Sequence, residues 1–280
     1  MSPTPLLLVD GHHLLYRCHF GFPARITSRD GTRDLTGVFG FLALLRKAHS
    51  AHAADHQTVV VFDGEHGSTA RAQADPAYKA NRADADHSPI QSLPDTKRGL
   101  DLAGVPWTEI DTAEGDDVIA TLTTGAVQAD RPVLVMSGDR DLLQLLDQPR
   151  TRVLNTAATA ERQITAAADV LDRFGVLPRQ WPDYRALTGD PSDNIPGVRG
   201  VGPVTARRLL SGGIGLDEML ASDRLSGTVG RRVLAHRQDL LRWRELIHLD
   251  HKVPLTPAPD TGPTPQLLPA ARILDGLRLW

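Results

Sequence analysis

Three short apolar segments of the sequence each lead into an aspartate. They cover residues 6–9 before Asp10, residues 58–62 before Asp63, and residues 133–136 shortly before Asp139. Segments that are apolar throughout are typical of strands buried on both faces of a parallel sheet, with helices packed on either side. Because ligands of such sheets bind beyond the carboxyl ends of the strands, the pattern predicts an α/β fold that gathers carboxylates at one edge of a mainly parallel sheet.

The composition is that of a globular protein with a full hydrophobic core. Of the 280 residues, 41% are hydrophobic and 23% are charged. No apolar stretch approaches the roughly 20 residues that span a bilayer, and no signal-like segment opens the chain. We therefore expect a cytoplasmic protein without a membrane segment. The net charge of −3 neither supports nor excludes a nucleic-acid partner, because it describes the whole surface and not a local patch.

The chain divides into an α/β region and a mainly helical region. Strand and helix patterns alternate over residues 1–180, which predicts one α/β core. Residues 181–255 are mostly helical in pattern, including one helix over residues 229–247 and a possible last strand at 246–250. Residues 256–280 form a predicted proline-rich C-terminal tail, extended as far as residue 269.

Nine acidic residues lie at or beside the predicted carboxyl edge. Singly they have ordinary explanations, since aspartate is common in turns and acids favour the first turn of a helix. Together they would repel one another unless cations lay between them. A site for two divalent ions uses such a set, because Mg²⁺ takes oxygen ligands from several segments. The candidate metal ligands are Asp10, Asp63, Glu114, Asp116, Asp117, Asp139, Asp141, Asp190 and Asp193.

A glycine-rich segment follows the last two acids. Residues 197–203 predict a tight turn between two helices, and the free N–H groups at such a turn bind phosphate. A phosphate-binding hairpin of this kind contacts a duplex backbone without reading bases. An ordinary helical hairpin with glycine caps would show the same pattern. The candidate DNA-binding residues are Gly197, Gly200, Val201, Gly202, Thr205, Arg207 and Arg208.

These motifs together resemble the 5′-nuclease (flap endonuclease) family, most closely the 5′–3′ exonuclease domain of bacterial DNA polymerase I. The matching segments are residues 9–11, 36–41, 61–63, 78–82, 114–119, 137–141 and 189–197, in family order. The resemblance implies a PIN-like nuclease core with a helical arch at about residues 79–100. It also implies a C-terminal helix-hairpin-helix subdomain over residues 181–255. Because no polymerase pattern follows, we expect a stand-alone nuclease.

The resemblance implies roles for individual residues. One Mg²⁺ or Mn²⁺ ion would lie among the five acids up to Asp117, and a second among the four from Asp139 onwards. Lys79 and Arg82, at the foot of the arch, would contact the scissile phosphate as a cationic clamp. Tyr78 would stack on a base near the cut. In some relatives K⁺ assists the glycine hairpin, and we extend that expectation to this chain.

The implied activity is 5′–3′ exonuclease and 5′-flap endonuclease cleavage of branched or nicked DNA in replication and repair. The expected partners are DNA, an RNA primer strand and a DNA polymerase acting in trans, with the protein a monomer at the nucleoid. Two alternatives remain: a DNA-structure-binding homologue without turnover, and an RNA-cutting nuclease of the related α/β type. Three acids in the predicted arch (Asp84, Asp86 and Asp95) predict weaker flap binding, and His13 is expected to be structural.

Overall fold

A six-stranded, mostly parallel sheet organises the molecule. The computed structural model describes residues 3–256 and 259–280. Within them the strand order is β3-β2-β1-β4-β5-β6, and only the β5–β6 pair is antiparallel. The strands are β1 (Leu6–Asp10), β2 (Gln57–Asp63), β3 (Trp107–Ile110), β4 (Val133–Met136), β5 (Thr151–Leu154) and β6 (Ile164–Thr165). The α/β fold with a mainly parallel central sheet is confirmed.

Helices cover both faces of the sheet because successive strand residues point to opposite sides. Leu7 and Val9 of β1 lie in one core with the first group of helices, whereas Leu6 and Leu8 lie in a second core with α5 (Gly115–Gln128) and the helical region. The first group is α1 (Gly11–Gly21), α2 (Thr36–His52), α4 (Leu93–Leu102) and α12 (Ala270–Gly276), and the short helix α3 (Thr69–Ala74) follows β2 in the chain. The sheet is thus buried on both faces, as its apolar strands predict.

The second face carries the C-terminal helical region. Its helices after α5 (Gly115–Gln128) are α6 (Ala167–Phe174), α7 (Trp181–Thr188), α8 (Pro203–Leu209), α9 (Leu216–Ala221), α10 (Gly227–Ala235) and α11 (Arg237–Ile247). Helix α7 packs against α8 and α11, so the glycine hairpin between α7 and α8 is anchored on the core. In the described part of the chain, no helix has both the length and the apolarity that a membrane crossing requires.

Two predictions for the helical region are wrong. The helix expected over residues 229–247 is interrupted at His236, whose φ of −98° and ψ of 19° separate α10 from α11. Its sequence carries no Pro or Gly at this point, so the break had no local signal. The possible strand at residues 246–250 is instead the end of α11 followed by irregular backbone.

The predicted tail is part of the nuclease core. Helix α12 lies within residues 256–280, and its Ile273 and Leu274 are 1% and 0% exposed. Leading into it, the Thr264 hydroxyl accepts a hydrogen bond of 2.8 Å from the backbone N–H of Thr58 in β2. The apolar residues of α12 follow helical spacing, a pattern outweighed in the sequence by the preceding prolines.

The predicted helical arch is compact and contains little α-helix before α4. It consists of a 3-10 helix at Ala80–Arg82, turns, and a second 3-10 helix at Ser88–Ser92. Asp95 of α4 pairs with Arg33 and, at 3.0 Å, with Arg98. These partners offset its negative charge, whereas Asp84 and Asp86 are exposed on the turns.

Candidate active site

The carboxyl ends of β1 and β4 are tied together through Asp10. Asp10 caps the N-terminus of α1, with Oδ1 accepting a hydrogen bond of 2.9 Å from the backbone N–H of His13. Its Oδ2 accepts one of 2.7 Å from the Ser137 hydroxyl just after β4. The same hydroxyl accepts from the N–H of Asp139 at 3.0 Å. These bonds bring the two strand-end aspartates to one place.

The two histidines after Asp10 hold the neighbouring strand ends. His13 Nε2 accepts a hydrogen bond of 3.1 Å from the N–H of Gly138, and burial lowers the pKa of its ring. A Cβ at Gly138 would lie 2.7 Å from that nitrogen, so a larger residue here would displace the His13 ring. His12 Nδ1 accepts from the N–H of Asp63 at 2.9 Å. Nδ1 also lies 3.3 Å from Asp63 Oδ2 but, as an acceptor, has no proton to donate to it. Both rings therefore have structural contacts.

A cavity of about 460 Å³ opens at this edge of the sheet. Seven of the nine predicted metal ligands line it, together with basic residues and the two histidines. Because the sheet contributes acids from β1, β2 and the turn after β4, the convergence follows from strand order. The seven acids are Asp10, Asp63, Glu114, Asp116, Asp139, Asp141 and Asp193.

Asp117 is the acid that the structure places elsewhere. It is bound in a bidentate ion pair by Arg71, with N···O distances of 2.6 and 2.8 Å, and also accepts from the N–H of Asp250 at 2.8 Å. Consecutive residues of a helix point about 100° apart, and here Asp116 lines the cavity whereas Asp117 lies behind Arg71. The role of Asp117 as a metal ligand stays a prediction.

Asp190 does not line the cavity but belongs to a cluster with two acids that do. Carboxylate oxygens of Asp141, Asp190 and Asp193 all lie within 4.8 Å of one another, and all three residues are buried. Asp190 is paired with Arg185 at 2.5 Å. Burial opposes its ionisation, but hydrogen bonds from Ser192 and Arg185 lower the pKa of Asp190 overall.

The acids divide into two sets by their partners. In the described part of the chain, five of the nine acids make no ion pair with Lys or Arg. Four of the five are buried or half-buried, and we call Asp10, Asp116, Asp139 and Asp141 the inner carboxylates. Four others each pair with a basic side chain, and we call Glu114, Asp117, Asp190 and Asp193 the paired carboxylates. Asp63 is exposed and belongs to neither set; its Oδ1 accepts from the N–H of Gly115 at 2.6 Å.

Burial and repulsion by neighbouring acids raise the pKa of Asp10, Asp116 and Asp141. Burial, and then the charge of Asp63, raise the pKa of Asp10 to about 7. Burial, and then the charge of Asp139, raise the pKa of Asp141 to about 8. The same two causes raise the pKa of Asp116 well above its usual range. A bound cation would lower these pKa values and allow the carboxylates to ionise.

Two basic side chains of the arch reach the cavity. Lys79 Nζ lies 2.7 Å from Glu114 Oε2, and although burial opposes protonation, that carboxylate raises the pKa of Lys79. Arg82 donates to Asp193 Oδ1 at 2.8 Å, with its side chain 48% exposed. Sequence reasoning gave no role to Arg71, which also lines the cavity. The only hint of this role in the sequence is Asp117, an acid that needs a cation beside it when it is buried.

Tyr78 is buried beside Glu114. The residue is 5% exposed and packs in the hydrophobic core. Its hydroxyl lies 3.2 Å from Glu114 Oε2, to which it donates. In this DNA-free structure the ring is covered and its hydroxyl is bound to Glu114, although Tyr78 also lines the cavity. Stacking of Tyr78 on a base stays a prediction.

The glycine hairpin has a buried base and an exposed tip. Gly197, with φ of 66°, packs so closely that a Cβ would lie 2.3 Å from the backbone nitrogen of Gly189, and Val201 is 4% exposed. These two predicted DNA-binding residues hold the hairpin together, and neither presents a side chain to a ligand. The exposed or half-exposed predicted residues are Gly200, Gly202, Thr205, Arg207 and Arg208.

The chain resembles part of bacterial DNA polymerases I. It is 36% identical over 261 residues to DNA polymerase I of Mycobacterium tuberculosis, a match that covers 93% of this chain and 28% of that protein. It is 39% identical over 240 residues to the thermostable DNA polymerase I of Thermus aquaticus, covering 85% of this chain and 28% of that protein. The chain thus spans about 28% of the length of these relatives.

A solved structure and two family models agree with the fold. The bacteriophage T5 flap endonuclease, in a pseudo-enzyme–product complex with DNA and metal ions, superposes with a TM-score of 0.66 at 22% identity. The match covers 88% of this chain and 89% of that one. The model of the 5′-3′ exonuclease C-terminal SAM fold matches residues 176–266. The model of the 5′-3′ exonuclease N-terminal, resolvase-like domain matches residues 5–175, more than half of the chain, which therefore belongs to the 5′-3′ exonuclease family.

Proposed function

We propose that this chain is a metal-dependent nuclease that hydrolyses DNA phosphodiesters, as a 5′–3′ exonuclease and 5′-flap endonuclease at branched or nicked duplexes. The observation that carries the proposal is the convergence of seven acidic side chains in one cavity beside Lys79 and Arg82. Membership of the 5′-3′ exonuclease family supports the reaction class.

The donor set fits divalent metal ions. It consists of carboxylate oxygens, which hard cations such as Mg²⁺ and Mn²⁺ prefer. The raised pKa values of Asp10 and Asp141 give an independent reason, since nearby positive charge would let these groups ionise. We propose that the inner carboxylates, with Asp63, Glu114 and the Asp190–Asp193 pair, hold two such ions. When bound, such ions supply positive charge that stabilises the charge developing on a phosphodiester.

The side chains of the protein perform the remaining steps. Lys79 and Arg82 bind the scissile phosphate at the rim of the cavity and offset its negative charge. The hydrogen bonds of Asp10 to His13 and Ser137 hold its carboxylate in place before the substrate arrives. Because the acids are fixed by strand ends and a helix cap, little reorganisation accompanies the reaction.

The glycine hairpin supports DNA as the substrate. Its exposed tip carries Gly200 and Gly202, and Arg207 and Arg208 follow on α8. The T5 flap endonuclease, of similar fold, was solved with DNA and metal ions. We propose that residues 181–255 hold the duplex backbone through this hairpin, with K⁺ as a further ligand there. The cut is made in the cavity at the carboxyl edge of the sheet, which Asp193 of the helical region also lines. An RNA primer strand and a DNA polymerase acting in trans remain proposed partners.

Cleavage of a labelled 5′-flap substrate tests this function. The purified protein with Mg²⁺ should release the flap and leave a 5′-phosphate, and EDTA should stop the reaction. Replacing both Asp139→Asn and Asp141→Asn should abolish cleavage while duplex binding remains. Loss of binding instead would make these acids structural. Binding without cleavage by the unaltered protein would favour the DNA-structure-binding alternative.

A further inference from the structure

The two arch cations bind acids that metal ions would also bind. Lys79 Nζ lies 2.7 Å from Glu114 Oε2, and their side chains are 19% and 9% exposed. Arg82 donates to Asp193 Oδ1 at 2.8 Å, and Asp193 belongs to the close cluster with Asp141 and Asp190. One carboxylate oxygen of Glu114 and one of Asp193 are therefore already bound to cations of the protein itself.

An ammonium group and a divalent ion cannot both occupy such an oxygen at full strength. A divalent ion sits about 2 Å from its oxygen ligand, which would bring it within about 5 Å of Lys79 Nζ. Two positive charges at that separation repel strongly in a partly buried site. A metal ion entering beside Glu114 or Asp193 must therefore weaken the ion pair made by the arch cation.

The backbone that carries Lys79 and Arg82 is held independently of these ion pairs. The N–H of Lys79 donates to the carbonyl of Asp193 at 3.1 Å, and the Asn81 amide donates to the carbonyl of Pro191 at 2.9 Å. The Asn194 amide returns a bond of 2.8 Å to the carbonyl of Ala77. Release would thus need only a side-chain rotation, which for Arg82 also breaks the bond of 3.2 Å from its Nε to the carbonyl of Ser192.

We propose that Lys79 and Arg82 act as internal competitors of divalent ions, and that metal binding releases both side chains to the phosphate of the substrate. This rests on the proposed function, because the phosphate is that of the DNA strand. Before metal enters, the two cations neutralise Glu114 and Asp193; afterwards the metal does so, and the cations become free to bind the phosphate. Metal and DNA then favour each other's binding, and by linkage the enhancement is the same in both directions.

Other basic residues of the site are not released in this way. Arg71 is bound by both oxygens of Asp117, which faces away from the cavity, and also donates to the carbonyl of His248 at 3.0 Å. Arg185 pairs with Asp190, which does not line the cavity. Lys97 offers a matched control. Its side chain is 18% exposed, close to the 19% of Lys79, and it pairs with Glu109 outside the cavity.

Binding of Mn²⁺ to the DNA-free protein tests the competition directly. Titration calorimetry would compare the unaltered protein with Lys79→Met, Arg82→Met and Lys97→Met. Removing either arch cation should tighten Mn²⁺ binding roughly tenfold, within the usual range of coupling between sites. Lys97→Met should leave it unchanged. Unchanged or weaker Mn²⁺ binding in both arch variants, with unaltered thermal unfolding, would overturn the proposal.

The coupling to DNA is measured separately. Anisotropy of a labelled 5′-flap oligonucleotide gives the ratio of DNA affinity in Ca²⁺ to that in EDTA. The ratio should be well above one for the unaltered protein and should fall towards one in the Lys79→Met/Arg82→Met double variant. An equal ratio in both would contradict the release. Tighter Mn²⁺ binding in a protein that cuts no flap would instead contradict the proposed function while leaving the competition intact.

Discussion

The inner carboxylates and the paired carboxylates show two ways of burying negative charge. The inner set has no Lys or Arg partner among the described residues, and burial raises the pKa of Asp10 and Asp141 into the neutral range. The paired set is neutralised within the chain, as by Arg71 on Asp117 and Arg185 on Asp190. The difference indicates that the inner carboxylates are neutralised by cations from outside the chain. Much of the paired set instead holds neighbouring segments of the site together through ion pairs within the protein.

The largest effect is expected from an inner carboxylate. Asp116→Asn should lower the rate of flap cleavage by roughly 10³-fold, because it removes a charged group at the centre of the site. In EDTA the same variant should be as stable as the unaltered protein or more so, since it relieves repulsion with Asp139 and Asp10. Single-turnover kinetics and thermal unfolding measure the two effects. A marked loss of metal-free stability would place Asp116 with the paired set.

A paired carboxylate should behave in the opposite way. Asp117→Asn leaves the Arg71 guanidinium without its bidentate partner, and both side chains are largely buried, at 16% and 8% exposed. Breaking a buried pair of this kind costs about 3 kcal/mol. Urea denaturation should show that loss of unfolding free energy both in EDTA and in Mg²⁺. Unchanged stability combined with lost Mn²⁺ binding would identify Asp117 as a metal ligand.

The two sets also predict how stability depends on pH. The raised pKa values of Asp10, about 7, and Asp141, about 8, mean that the folded protein retains protons which the unfolded chain has released. The metal-free protein should therefore lose stability as pH rises from about 4, where aspartates of the unfolded chain ionise, to about 8, where Asp141 ionises in the folded protein. Up to about pH 6.5 the buried histidines His13 and His49, whose pKa values burial lowers, act in the other direction.

Thermal unfolding in EDTA and in Mg²⁺ across this range checks the pH prediction. Mg²⁺ should remove the loss of stability at rising pH, because the inner carboxylates would then face bound cations in place of one another. The substitution Asp141→Asn should reduce the slope in EDTA. A flat profile in EDTA would show that the inner carboxylates are already neutralised by the protein.

The smallest effect is expected at the glycine hairpin. Arg208→Ala should weaken binding to duplex DNA by a few-fold and lower the salt dependence by about one phosphate contact. Cleavage of saturating flap substrate should be unchanged, because Arg208 lies outside the cavity. Anisotropy titrations at several salt concentrations measure this effect. An unchanged salt slope would assign duplex binding to another surface.

The sequence predicted most of the fold and of the carboxylate site because strand ends impose the convergence. Each apolar strand carries its acid to the same edge, so seven of nine acids line the cavity. Asp117 does not line the cavity because it follows Asp116 on a helix and therefore points in a different direction. The prediction took the two neighbouring acids together and did not consider the direction of each. The burial of Tyr78 depends on tertiary packing. Arg71 is joined to Asp117 across 46 positions in the chain, and no local pattern marks that contact.

The fold outside the strands was less predictable for similar reasons. Helix α12 has apolar residues at helical spacing, but its role in covering α2 depends on where the chain returns after the helical region. The break at His236 contains no helix-breaking residue, and packing decides it. Strands β5 and β6 are short, with four and two residues, and their pairing at the sheet edge gives little signal in sequence.

The most direct test of metal binding at the inner carboxylates is the location of Mn²⁺ by anomalous diffraction from crystals of the protein. We expect anomalous peaks about 2–2.3 Å from oxygens of the inner carboxylates, with Lys79 and Arg82 displaced from Glu114 and Asp193. The exposed group of Glu65, His66 and Asp111 has donor atoms close enough to hold an ion and serves as the comparison within the same map. Manganese found only at that exposed group, with none at the inner carboxylates, would show that the inner carboxylates are not the metal site.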